Sequence, residues 1–427
     1  MKKVVINARV FDGRHSQLKE HASIVIEGNL VKEICFGEIS LEQFDEVIDA
    51  KNRVVIPGLS DMHVHISHNV KGGTDALRID EAAVRGAKQA YEMLLRGFTT
   101  LRDAGGIVYG IKHSIDTGFI DGPRIFPSNA YISQTCGHGD TRSSRAQQRL
   151  FDDVYTSPSL MAGGTVLVDG VPQMLKAVRE QLFLGASQIK LMAGGGISSQ
   201  YDPLFTVQFT FEEMKAAVDA AADFGTYVMA HLYTPQAMKR AAKAGIKSFE
   251  HASLMDEETA KIIKTEGIWV MPGPQAARGR NIRPDVSEET RKKAILVRDG
   301  EEKATEYINK YDIPIVFGSD STGDPERTKA HQLDDFRFMK KRFGSLKGLI
   351  SATGNVCELN KLTTYQNPYP EGKIGVLEEG AFADLIIVNG NPLEDLDVIA
   401  QEDNLLLIMK DAKIYKNTGI EVSGEKV

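Results

Sequence analysis

The sequence predicts an α/β fold, a (β/α)8 barrel with one small β-domain assembled from both ends of the chain. Three observations predict it. Apolar strands alternate with amphipathic helices through the middle of the chain, the signature of parallel βα units. Short alternating strands occupy the first 56 residues and return after about residue 365. Eight strand candidates lie between these ends, the number a barrel needs. The expected boundaries are 1–56 and 365–427 for the β-domain and 57–364 for the barrel.

Taken in order, VVINARVF, ASIVIEGNLVKEICFG and EVIDAKNRVV supply the N-terminal strands. LSDMHVHI, FTTLRDAGG, RIFPSNAYIS, ASQIKLMAG, YVMAHLY, IKSFEHA, GIWVMPG and IPIVFGSDS are the eight barrel candidates. Val171, Met174, Leu175, Val178 and Leu182 recur at helical spacing, and Pro172 suits a first turn. Thr210 and Glu213 have capping-box spacing, and Gly225 stands where a C-terminal cap is wanted. Thr234 before Pro235 opens another helix that ends near Gly245. KIGVLEEGAFADLIIV and LLLIMKDAKIYKN return the chain to strands.

Composition excludes several classes. With 427 residues, 42% hydrophobic and 26% charged, the chain can bury a large core. A net charge of -7 argues against a nucleic-acid partner. No apolar run approaches the ~20 residues of a membrane span, and the start MKKVVINARVFDG lacks a secretory apolar region. Cys35, Cys136 and Cys357 are too widely spaced for a disulfide framework or a cysteine zinc site, so a reducing cytoplasm is the default.

The strongest local signal is PGLSDMHVHI at 57–66. His63 and His65 are two apart on a strand, so both side chains leave one face and could converge on a cation. A pair of hydrogen-bonded core histidines is the other reading. Lys190 sits inside the apolar strand IKLM, where an ammonium needs a partner or chemical modification. An interior ion pair and a carbon dioxide adduct both satisfy it. His231 and His251 end consecutive strands, and Asp320 closes IPIVFGSDS. Each alone is ordinary. Jointly, strands one, four, five, six and eight offer ligand-type side chains at the end where barrel sites are built. Asp61 has the parity of the histidines, which suggests a supporting role. His15, His21 and His113 lie among polar neighbours, and His68 is either supporting or exposed.

These pieces, in this order, resemble the amidohydrolase superfamily over nearly the whole length, and EGKIGVLEEGAFADLIIVNGNPLEDL resembles that family's return into a β-sandwich domain. The resemblance implies a TIM-type barrel and two divalent cations per subunit, zinc by expectation. His63, His65 and Asp320 would hold the more buried cation, His231 and His251 the more exposed one. Carbamylated Lys190 (N6-carboxylysine, made with carbon dioxide) would bridge them. Asp320 would act as base and then acid on the water and the leaving nitrogen.

TTLRDAGG, QTCGHGD, IKLMAGGG, AHLYTP and FEHAS resemble the binuclear prolidase and Xaa-Arg/Lys dipeptidase branch. In that branch the positions matching His138 and Tyr233 touch the substrate. The implied substrate is a dipeptide or N-acyl amino acid. Close relatives instead hydrolyse aryl amides, ureas or mycotoxin amides. Mononuclear cyclic-amide hydrolases such as imidazolonepropionase generally lack the bridging lysine, so Lys190 separates them from this chain. Scaffold members have lost their ligands, and this chain has kept them. Family members are often homo-oligomers, and nothing in the sequence fixes an interface.

Gly194, Gly195 and Gly196 would let substrate approach the backbone. The stretch from 134 to about 170 is long for a βα loop and would cover the site. Arg278, Arg280, Arg283 and His331 are rim positions without an assigned role.

Overall fold

A computed structural model describes residues 1–68, 78–142, 163–199, 201–273, 286–322 and 325–424, with 325 and 327 as backbone only. The strands are β1 Lys2–Val10, β2 Lys19–Glu27, β3 Leu30–Phe36, β4 Glu46–Asp49, β5 Val54–Pro57, β6 Leu59–Val64, β7 Phe98–Asp103, β8 Arg124–Pro127 and β9 Tyr131–Ser133. They continue with β10 Thr165–Leu167, β11 Ile189–Met192, β12 Val228–Leu232, β13 Ser248–His251, β14 Trp269–Pro272, β15 Leu385–Val388, β16 Leu405–Lys410, β17 Lys413–Asn417 and β18 Glu421–Ser423. The helices used below are α1 Ile79–Leu95, α2 Tyr109–Asp116, α3 Val171–Phe183, α4 Phe211–Asp223, α5 Pro235–Ala244, α6 Glu257–Thr265, α7 Glu288–Lys310 and α8 Pro325–Gln332.

Both ends of the chain share one mixed sheet, β17-β16-β15-β5-β1-β2-β3, from which β4 and β18 branch off β1. Its apolar face packs Val5, Ile24, Ile48, Leu385, Ile387 and Leu407 into a core of its own. Strands from the two ends pair at β5–β15 and β4–β18.

The middle of the chain forms two parallel sheets, β6-β7-β8 and β10-β9-β11-β12-β13-β14. Register sorts their faces. Met192, His231, Glu250 and Met271 form one row across β11 to β14. Leu191, Ala230, Phe249 and Val270 form the neighbouring row, in the large core that also holds Ala217, Ala241 and Ile263 from the helices. Local chemistry fixes the helices as expected. Thr210 and Glu213 make both bonds of a capping box on α4. Thr234 caps α5, and Gly245 ends it at φ 98°.

The two sheets do not join into one closed hydrogen-bonded ring. At one gap a single backbone bond, Ser187 N–H to Pro127 O at 2.7 Å, is supplemented by the Gln188 side chain, whose Nε2 donates to Phe126 O at 3.1 Å and to Ser128 Oγ at 2.9 Å. At the other, the expected eighth strand is reduced to isolated bridges, Val270↔Ile315 and Val64↔Ser321. There Asp61 Oδ1 takes the Ser319 N–H at 2.9 Å, leaving the ladder without that donor. Arg102 spans the interior from β7 to Tyr227, Ser248 and Glu250, so the two sheets face one another across it. Among the described residues, no helix is long and apolar enough to cross a membrane.

Candidate active site

The strand ends bring the six predicted ligand positions together. Among the described residues, one ligand atom from each of His63, His65 and Asp320 lies within 4.8 Å of the others. Asp320 Oδ1 is 3.6 Å from His63 Nε2 and 3.5 Å from His65 Nε2. Lys190 Nζ, fully buried, is 3.3 Å from His63 Nε2. The His251 ring stands 5.4 Å from His63 and 4.8 Å from His231, so it joins the two groups.

Backbone strain aims two of these side chains. By register His251 shares the row of Leu232, which belongs to the helix-side core. A φ of 75° at His251, followed by 52° at Ala252, turns its imidazole toward His231 instead. Asp320 has φ 48°, and its N–H donates to His63 O at 2.7 Å. Left-handed backbone at non-glycine residues is costly, and it gathers at functional sites.

Each imidazole is kept uncharged. Burial, then the charge of Lys190 and the neighbouring His251, push His63 well below the usual histidine range. Burial does the same at His65 and His231, and it brings His251 down to about 3. Lys190 falls to about 8 because burial outweighs the attraction of Glu250 and Asp320. Neutral imidazoles are the form that binds cations. His231 Nε2 is buried and has no hydrogen-bond partner among the described residues. An orphaned ring nitrogen, crowded neutral donors and a carboxylate together fit a cation centre.

The two residues carried over for substrate contact border the second group. His138 stacks on His231 at 4.1 Å, its Nδ1 2.7 Å from Ser199 Oγ. Tyr233 stacks on His251 at 5.1 Å and meets His231 edge-on at 5.0 Å. His68, half-buried, lies against His65 and Tyr131, and burial lowers it to about 4. His15, His21 and His113 are exposed as expected, although His15 bonds Asp12.

Three expectations need correction. Asp61 does not share the histidine face, because the β6 register shifts between Asp61 and Val64. Its carboxylate braces the Asp320 segment through Ser319 N and reaches Gln332 Nε2 of α8 at 2.9 Å. The room at the three glycines is taken by the protein itself: a Cβ at Gly196 would overlap the His138 ring, one at Gly195 the Pro203 carbonyl, and one at Gly194 would press on Leu232. The 134–170 connection includes a strand, β10, parallel to β9. Residues 143–162 of that connection lie outside the described residues, as do Arg278, Arg280 and Arg283. His331 is half-buried on α8, where its neighbour Gln332 is the residue that reaches Asp61.

Glu250 and Arg102 were not expected in the site. Glu250 Oε2 accepts from His63 Nδ1 at 2.7 Å, and Arg102 Nη2 donates to both Glu250 oxygens at 3.0 and 3.2 Å. The signal read at Lys190, a charge inside an apolar run, is absent at both positions, because β7 is FTTLRD and β13 is SFEH.

Residues 54–415 match the family model described as "Amidohydrolase family". The chain belongs to the amidohydrolase family. This amidohydrolase is therefore a hydrolase of amide bonds. It is 32% identical to ochratoxinase of Aspergillus niger over 394 residues, covering 87% of this chain and 78% of the fungal enzyme. A prolidase complexed with N-methylphosphonate-L-proline superposes with a TM-score of 0.88 at 33% identity, covering 98% of this chain and all (100%) of the other. A Xaa-Pro dipeptidase with bound methionine in its active site gives 0.84 at 31%, with coverage of 98% and 100%.

Proposed function

We propose that this amidohydrolase is a binuclear metal-dependent dipeptidase or carboxypeptidase acting on dipeptides or N-acyl amino acids. The convergence of His63, His65, Lys190, His231, His251 and Asp320 at the strand ends carries this reading. In it, the two parallel sheets are the staves of one (β/α)8 barrel at 57–364, and segments 1–56 and 365–427 form its β-sandwich. Two divalent cations, zinc by this reading, would supply Lewis acidity and a lowered water pKa, one held by His63, His65 and Asp320, the other by His231 and His251, with carbamylated Lys190 between them.

The chain's own groups do the rest. Uncharged Lys190 Nζ forms a bond to the carbon of carbon dioxide and releases a proton, leaving a carbamate. Burial favours this step by lowering the amine to about 8, which raises its uncharged fraction near neutrality. Asp320 accepts a proton from the attacking water and returns it to the leaving nitrogen. His138 and Tyr233 hold the substrate carbonyl or terminal carboxylate. The three cysteines are free thiols, consistent with a reducing cytoplasm.

The relatives favour both this substrate class and one alternative. Prolidase and Xaa-Pro dipeptidase neighbours support dipeptides, while the ochratoxinase relative supports a mycotoxin amide. Kinetics on the zinc-loaded enzyme with dipeptides, N-acyl amino acids and ochratoxin decide between them. The reading expects the highest kcat/KM among the first two. Turnover confined to ochratoxin or aryl amides would replace it with the alternative.

A further inference from the structure

We propose that Glu250, gripped by Arg102, is a positioning residue that fixes the tautomer and plane of His63 so that Nε2 faces a cation. This rests on the metal-dependent reading above and adds residues to it.

The geometry leaves His63 little choice. Its Nδ1 donates to Glu250 Oε2 at 2.7 Å, because a carboxylate can only accept. Lys190 Nζ approaches Nε2 at 3.3 Å, the side that must then carry the lone pair. Arg102 fixes the carboxylate and the backbone together. Its Nη2 binds both Glu250 oxygens, its Nε donates to Met62 O at 2.6 Å, and its Nη1 reaches Tyr227 Oη at 2.9 Å. Ser248 Oγ donates to Glu250 Oε1 at 2.7 Å. Arg102 and Glu250 are completely buried.

Two further points separate positioning from mere packing. Buried ion pairs are costly to desolvate, and apolar residues of similar volume usually pack as well. What an apolar pair could not give is an acceptor for His63 Nδ1–H. In addition, His65 is held by a neutral acceptor, Gly105 O at 2.7 Å. The two histidines of one HxH pair are therefore given different basicity, since a carboxylate acceptor strengthens an imidazole ligand more than a peptide carbonyl does.

The test is zinc affinity of the full chain, stripped and titrated against a chromophoric chelator. It compares wild type with Glu250→Gln, with Arg102→Met combined with Glu250→Leu, and with Ser248→Ala. The double variant removes both charges, so no lone buried charge unfolds it. Glu250→Gln and the melting-competent double variant should each bind zinc about 10–100-fold more weakly, with Ser248→Ala within about threefold of wild type. A cooperatively melting double variant with wild-type affinity would overturn the assignment alone. A wild-type chain that takes up no zinc would overturn it together with the metal reading. Should the charge variants not fold, ¹⁵N-histidine NMR of the zinc-free wild type decides, with His63→Gln identifying the signal. The Nδ1-protonated tautomer is expected, and the Nε2-protonated one would contradict the proposal.

Discussion

The two halves of the histidine cluster are held in different ways. His63 and His65 are tied through Nδ1 to Glu250 and to Gly105 O, groups of the scaffold itself. His231 and His251 are held instead by ring contacts with His138 and Tyr233, and His231 Nε2 lacks a partner among the described residues. One half is fixed by hydrogen bonds before anything binds. The other is lined by residues proposed to meet the substrate. On the function proposed above, the difference separates ligand geometry from substrate handling among neighbouring strand ends.

Lys190 is proposed to serve both halves, so its loss should break the comparison outright. Lys190→Ala is expected to lose metal and activity together, with turnover falling to background; full activity at full metal content would remove the bridge. Asp320→Asn strikes the first half. Its turnover should fall on the order of 10³-fold while the melting temperature holds, and near-normal turnover would remove Asp320 from proton transfer.

The second half predicts a smaller, differently distributed loss. His138→Ala should lower kcat/KM about 10²-fold and Tyr233→Phe about tenfold, both at unchanged metal content. Elemental analysis beside the kinetics checks this; metal lost from either variant would make the residue part of the ligand support instead.

The terminal sheet supplies the smallest effect. Burial alone would raise Asp12, but the Arg14 and His15 N–H groups and the His15 ring bring it down to about 2. Its folded value lies below its unfolded one, so its stabilisation is present above pH ~4 and is lost as pH falls through about 2. Asp12→Asn should cost about 1 kcal/mol near neutrality, less at acid pH, and leave kcat unchanged. Denaturant melts at two pH values check the sign.

Much of this was legible in sequence because the proposed ligands sit two apart or at strand ends, where period-2 alternation and a following loop mark them. His63, His65, Lys190 and His231 obey that parity. His251 was legible by residue type, yet its direction was not, since it points inward only because its backbone turns left-handed. Glu250 was hidden for the same reason: parity can place only one of two adjacent residues inward, and both face the cluster. Asp61 misled because a register shift in β6 is invisible in the pattern. The eighth strand read as regular from IPIVFGSDS, but the Asp61 carboxylate takes one of its ladder donors.

Elemental analysis of the purified wild-type chain tests the central claim most directly. The account predicts about two divalent cations per chain, with amide hydrolysis abolished by chelation and restored by zinc. Full activity from a chain holding almost no metal would contradict it.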